Sequence, residues 1–241
     1  MKIFTFLMMF FYLFCLYDAT AQDDSKDTTH VDTVKYSSFD YGADLVSRYI
    51  FRGLDFGSSP AIQPHFSYSY KGFTIGAWGS YAFIATPAGI EADLYVSYDF
   101  DFGLSLFLYD YYFPVEELIL KKDSIIGPVR KGSYFDYANH HYFEIGGTQY
   151  FRSFYASLFY GFHNMDNAIY VEGGYEFKWL TFFVGGGNKI YSKSEKFNIV
   201  NVGVKARKDI RITKNYAIGL TSSVVLNPNM EQIHIVFGLC L

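Results

Sequence analysis

Cysteine is nearly absent from this 241-residue chain, which holds only Cys15 and Cys240. Cys15 lies in the apolar start, so removal of that segment leaves no intrachain disulfide possible. Cys240 reads as a small residue near the end of a last strand, not as a nucleophile. A basic excess is also missing. The formal net charge is −4, and no basic run or pattern occurs that would suit nucleic acid. Motifs for chemistry are equally scarce. His140 and His141 are adjacent, so on a strand they diverge, and no third ligand stands at metal-site spacing. His65, His163 and His234 have serines nearby, but nothing links a nucleophile to a base. Gly185-Gly186-Gly187 has no following helix and is not a phosphate loop. No catalytic residue, metal or cofactor is therefore expected.

The chain does carry a charged start, Met1-Lys2, an apolar stretch Ile3–Tyr17 broken only by Thr5, and Ala19-Thr20-Ala21. These are the parts of a secretory signal peptide, cleaved before Gln22. The apolar stretch is shorter than the roughly 18 residues of a membrane helix. Residues 22–38 are polar and read as a flexible periplasmic leader.

From Phe39 onward, aromatic residues make up an unusual share, 21% of the whole chain, yet mean hydropathy is close to neutral. Alternation explains both. From Phe39 to Tyr49 the odd positions give Phe39, Tyr41, Ala43, Leu45 and Tyr49, against Asp40, Asp44, Val46 and Arg48. Successive strand side chains point to opposite faces, so one face is apolar and the other carries charge. The pattern recurs in 61–70, 73–83, 90–100, 102–112, 141–151, 154–162, 168–177, 180–188, 198–207, 216–226 and 231–241, twelve strands in all. In 198–207, Val200, Val202 and Val204 are set against Asn201, Lys205 and Arg207. Strands of about ten residues separated by turns are the mark of an outer-membrane barrel, and a barrel removes the unpaired edges of such aromatic strands.

Connections alternate in length as well. Turns at Lys71-Gly72, Asp101, Arg152-Ser153 and Lys178-Trp179 are short, while 50–60, 84–89, 113–140, 163–167 and 189–197 are longer. Short turns on one rim and long loops on the other are how such barrels are built. Segments 208–215 and 227–230 depart from the rule. Loop 113–140 carries Lys121-Lys122 and Arg130-Lys131, and it is long enough to fold inward or to meet lipopolysaccharide.

By parity the lumen receives Asp40, Asp44, Arg48, Gln63, His65, Glu91, Asp93, Glu144, Glu172, Glu176, Lys205 and Arg207, with Arg52 at the loop edge. Acidic groups outnumber basic ones, so an open channel lined this way would mildly favour cations. The same charges could instead pair across the lumen and brace a closed barrel. Twelve strands lie between the eight that side chains fill and the sixteen that leave a water channel. The glycine triplet suits a wall where crowding must be relieved.

Three stretches carry a family resemblance: Ser47-Arg48-Tyr49-Ile50-Phe51-Arg52-Gly53, Pro60-Ala61-Ile62-Gln63-Pro64 and Gly76-Ala77-Trp78-Gly79-Ser80. With Glu91-x-Asp93 and the run from Asp101-Phe102-Gly103 through Tyr109 and Tyr111 to Pro114, residues 40–114 resemble the TorF-type porin family. The resemblance implies an outer-membrane barrel and marks Arg48, Arg52 and Gln63 as the first candidates for anchoring the first loop or touching solute. The chain ends in Leu241 where such barrels commonly end in an aromatic residue.

The expected protein is a single antiparallel transmembrane barrel of about twelve strands in a Gram-negative outer membrane. It would be met by the barrel-assembly machinery and by lipid and lipopolysaccharide, and would act as a passive, mildly cation-preferring pore for small solutes. One alternative is an outer-membrane lipid-modifying hydrolase using a rim histidine among His140, His141 and His163. Another is a closed structural barrel plugged by Trp78, Tyr170 and paired charges.

Overall fold

The computed structural model describes residues 37–84, 89–114, 118–121, 124–128, 133–214 and 216–241. The signal peptide and most of the leader lie outside them, as do the side chains of Lys121, Lys122, Arg130 and Lys131. The strands are β1 (Ser37–Val46), β2 (Tyr49–Phe51), β3 (Leu54–Phe56), β4 (Ala61–Tyr70), β5 (Phe73–Ala82), β6 (Ile90–Asp99), β7 (Leu104–Tyr112), β8 (Leu118–Lys121) and β9 (Ser124–Pro128). They continue as β10 (His141–Phe151), β11 (Phe154–His163), β12 (Ala168–Phe177), β13 (Leu180–Gly187), β14 (Asn198–Arg211), β15 (Ala217–Asn227) and β16 (Gln232–Cys240).

Twelve of these strands form a closed antiparallel barrel in the order β1-β4-β5-β6-β7-β10-β11-β12-β13-β14-β15-β16, with β16 back against β1. The closing seam is short. It pairs Asp44, Leu45 and Val46 with Cys240, Leu239 and Gly238. Backbone bonds between Ala43 and Leu241 and between Ser47 and Phe237 extend it by a step at each end.

Alternation sets the two faces. Phe39, Tyr41, Ile75, Leu94, Leu108, Ile145, Phe182, Ile233 and Phe237 point outward and are exposed, so the barrel presents a continuous apolar belt. The short rim is made by turns whose geometry the sequence encodes. Lys71 and Gly72 both have positive φ (48° and 81°), the conformation of a two-residue hairpin turn. At three short turns a basic side chain lies over the ring just before it: Lys71 on Tyr70, Arg152 on Phe151 and Lys178 on Phe177, at 5.2, 5.7 and 5.3 Å.

Four features differ from the sequence expectation. The first strand begins at Ser37, inside the expected leader, and ends at Val46, not Tyr49; the chain then leaves the wall. β14 continues to Arg211, so the connection expected at 208–215 shrinks toward the length of its neighbours on the short rim. Val200, expected on the outer face, is fully buried, because a bulge lets Gly185 and Gly186 pair with Asn201 and Ile199 and turns Val200 inward. Finally, the segment found inside the barrel is β2–β3, whereas within loop 113–140 the strands β8 and β9 pair with each other as a separate hairpin.

Candidate functional site

The inward hairpin is built from Tyr49-Ile50-Phe51 and Leu54-Asp55-Phe56 around an Arg52-Gly53 turn. Both turn residues have positive φ (51° and 80°), so the strands meet in a tight two-residue turn. A Cβ on Gly53 would stand 1.9 Å from the Val200 carbonyl oxygen, so only glycine lets the hairpin tip touch the bulge in β14. The buried Asn227 side chain donates to the Gly53 carbonyl at 3.0 Å. Rings complete the fit, with Tyr49 against Trp78 and Phe51 against Tyr111 at centroid separations of 5.3 and 6.1 Å.

Arg52 is the anchor. Its guanidinium forms a two-pronged pair with Glu144, at 2.6 and 2.8 Å, and both side chains are buried, 8% and 0% exposed. The Tyr111 and Tyr191 hydroxyls donate to the same carboxylate at 2.9 and 2.7 Å. The guanidinium also sits 4.4–5.1 Å from the centres of Phe51, Phe159, Tyr170 and Tyr191. A planar cation held by a carboxylate and surrounded by ring faces is well matched in charge and shape.

The other inward charges fall into separate groups. Arg48 reaches Asp55 across the base of the hairpin at 2.8 Å, with the arginine side chain 41% exposed. Glu172 is saturated by Tyr155 at 2.8 Å, by Asn201 at 2.8 Å and by the Tyr170 hydroxyl. Tyr170 in turn lies so close over Gly185 that a Cβ there would be 2.3 Å from its hydroxyl. Gln63 is buried and donates to Ser80 at 3.3 Å. Asp44, Lys205 and Arg207 share a cavity of about 280 Å³ with Arg48 and Gln63. His65 stands 3.7 Å from Asp40, whose side chain is 75% exposed, and Glu176 is exposed at the short rim.

Glu91 and Asp93 form a group of a different kind. They are two residues apart on β6, both nearly buried at 3% and 7%, and Glu91 Oε2 and Asp93 Oδ1 have no hydrogen-bond partner. Tyr49 lies against both. Glu91 lines a cavity of about 340 Å³ on the long-loop side of the hairpin, with Phe51, Phe56, Tyr111, Phe113 and Tyr142 among its walls. Asp93 lines a cavity of about 530 Å³ beyond it, among Tyr49, Trp78, Tyr95, Tyr109 and Tyr170. Phe51 and Tyr111 line both, so the hairpin forms the partition between them.

The rim histidines serve the loop that follows β9. Both ring nitrogens of His141 are engaged, Nδ1 with Asp110 at 2.7 Å and Nε2 with the Tyr134 carbonyl at 2.6 Å. His163 Nε2 meets the Tyr137 carbonyl at 2.8 Å, and His140 Nδ1 the Phe113 carbonyl at 3.2 Å. A hydrolytic histidine needs a hydroxyl where His141 and His163 hold carbonyls.

Parity brought Arg52 and Glu144 to the same interior without pairing them. Tyr191 was missed because it stands in a short 3-10 turn, Lys189–Tyr191, that no period marks. The hairpin itself had one readable signal, Arg-Gly between two apolar runs, which continued alternation through Tyr49 concealed.

A closed antiparallel barrel with one loop folded into its lumen is thus the class that fold and site define. Within that class the chain belongs to the Gcw_chp family, bacterial proteins of unknown function, which matches residues 34–183. No curated protein matches the chain.

Proposed function

We propose that this protein is an outer-membrane, porin-like channel for small solutes, constricted by the β2–β3 hairpin and mildly cation-preferring. The membrane setting is supported by the exposed apolar belt and by the basic residues stacked on rings at Tyr70, Phe151 and Phe177. Aromatic girdles with snorkelling basic groups suit a membrane–water boundary. On this reading the short rim is periplasmic and the hairpin belongs to the first extracellular loop.

The observation that carries the channel reading is the pair of cavities, about 340 and 530 Å³, that share lining residues on the two sides of the hairpin. A lumen filled only for bracing would have no need of space on both sides of one partition. The unpaired Glu91 and Asp93 along that route favour cations over anions. The resemblance of residues 40–114 to TorF-type porins points the same way.

A planar bilayer holding the refolded protein tests the reading. Small discrete conductance steps are expected, with cation preference in a salt gradient. Larger steps are expected once residues 49–57 are replaced by a short Gly-Ser link. Silence from both proteins, when each shows the heat-modifiable gel mobility of a folded barrel, overturns the channel. Silence from the native protein alone supports a second reading, a barrel held closed by the buried Arg52–Glu144 clamp.

A further inference from the structure

The geometry points to a binding site for a small organic ammonium ion at Glu91 and Asp93, between the hairpin and β6. It deepens the channel reading by naming a solute class, and it relies on that reading only for access to the lumen.

Two buried carboxyl groups with unpartnered oxygens are costly. Each gives up hydration, and like charges this close oppose each other unless one takes up a proton or a cation compensates. Among the described residues no lysine or arginine pairs with either. Arg52 is committed to Glu144, Arg48 to Asp55, and the nearby Asp110 is occupied by His141. The Tyr111 hydroxyl faces away, donating to Glu144. Glu91 Oε2 and Asp93 Oδ1 are left without a hydrogen-bond partner, and the two side chains line the outer and the inner cavity respectively.

The walls decide what kind of cation fits. Trp78 is directly across the strand pair from Asp93, and Tyr49 packs on Trp78. Tyr95, Tyr109 and Tyr111 follow one another along the wall at 5.8 and 5.5 Å, the last two nearly parallel. Ring faces attract an alkylammonium ion while tolerating its methyl groups. A bare calcium ion instead wants six to eight oxygen ligands, and no group of three His, Cys, Asp or Glu side chains suited to a metal occurs among the described residues. The molecule supplies its own precedent two strands away, where four rings and Glu144 hold the organic cation of Arg52. The Glu91–Asp93 site has the same composition without the cation. The inner cavity, at about 530 Å³, exceeds what a compact ammonium ion fills and lies within the range of small-ligand sites.

Trp78 is a built-in reporter. Only Trp179 shares its type, and it lies at the short rim, so Trp179→Phe leaves a single emitter in the lumen. The protein with that substitution, refolded in detergent, is titrated with tetramethylammonium chloride at constant ionic strength, with sodium chloride and the neutral isostere tert-butanol as comparisons. A saturable change in Trp78 emission is expected for tetramethylammonium alone. Asp93→Asn and Glu91→Gln, made separately so that one folded variant suffices, are expected to raise the half-saturating concentration about tenfold or more, the loss of a charge-assisted contact. No response, a response equal to that of sodium or tert-butanol, or a response unchanged in both variants overturns the site. A saturable, carboxylate-dependent response from a protein silent in bilayers keeps the site and sinks the channel. Conductance without any such response does the reverse.

Discussion

Glu144 and the Glu91–Asp93 pair sit on the same inner wall, with only β7 between their strands, yet their surroundings are opposite. Glu144 has both oxygens engaged by Arg52 and two tyrosine hydroxyls. Glu91 and Asp93, almost as deeply buried, each keep an oxygen that nothing meets. The difference comes from the hairpin. It delivers a guanidinium to one carboxylate and only the neutral Tyr49 side chain, its hydroxyl toward Glu91, to the other two. A buried acid that the protein neutralises holds structure together; one that it leaves open is a liability unless something from outside completes it.

The sharpest break of that contrast removes the clamp. Glu144→Gln or Arg52→Gln leaves a buried charge without its partner, which costs about 3–5 kcal/mol. Because the barrel wall is tied by twelve strand pairings and the hairpin by this clamp, the cost is expected to fall on the hairpin. Proteolysis of the folded barrel after Arg48 or Arg52, slow in the native protein, should accelerate, and conductance should rise. Unchanged cleavage in both variants would mean that ring packing alone holds the hairpin.

Gly53→Ala attacks the same contact through the backbone. The added methyl meets the Val200 carbonyl at 1.9 Å in a conformation that alanine resists. A cost of about 1–3 kcal/mol is expected from the strained backbone alone. Gly72→Ala is the matched case: φ is also positive, at 81°, but the turn is at the short rim, far from the hairpin. Both should lower the temperature at which the folded gel band is lost, and only Gly53→Ala should expose the hairpin to protease.

The opposite sign is expected for the open pair. Glu91→Gln and Asp93→Asn remove buried carboxyl groups that the chain leaves with an unpartnered oxygen, so in low salt without ammonium each should leave stability unchanged or raise it by about 1–3 kcal/mol. Thermal loss of tertiary signal, followed beside Glu144→Gln, checks this. Destabilisation as large as that of Glu144→Gln would show that Glu91 and Asp93 are paired in solution by a partner within the chain.

How much of this was readable in the residues follows from the range of each interaction. Alternation and turn length are local, so the twelve barrel strands and both rims emerged from neighbouring letters, including the inward parity of Glu91, Asp93, Glu144 and Glu172. The place where the chain leaves the wall did not. Tyr49 continues the apolar parity of β1, but Ser47 caps the seam to Phe237 and the chain turns in. The bulge at Val200 was hidden in the same way, since one extra residue inverts the face without altering the composition around it. Which acid would be neutralised was beyond any local rule. Arg52 and Glu144 are 92 residues apart, and Asn227 and Gly53 are 174 apart. Parity names the side chains that enter the lumen, and only the path of the hairpin decides which of them meet.

The smallest expected effect is the one that isolates burial as the cause. Arg48–Asp55 joins the same hairpin with the same kind of ion pair, at 2.8 Å, as Arg52–Glu144. Its arginine side chain is 41% exposed, against 8% for Arg52, and Asp55 still accepts from the Ser58 amide and hydroxyl when Arg48 is lost. A pair with one exposed member and an acid held by other donors contributes about 0–1 kcal/mol, and Arg48→Ala should change hairpin cleavage at Arg52 and thermal stability by no more than that. Raising the salt concentration should weaken the Arg48 bridge and leave the Arg52 clamp in place, because screening acts on exposed charges far more than on buried ones. Cleavage rates for the native protein and Arg48→Ala should therefore converge in high salt, while Glu144→Gln stays fast at every ionic strength. If Arg48→Ala instead released the hairpin as fully as Glu144→Gln, the number of ion pairs, and not the burial of one of them, would be what holds the lumen partitioned.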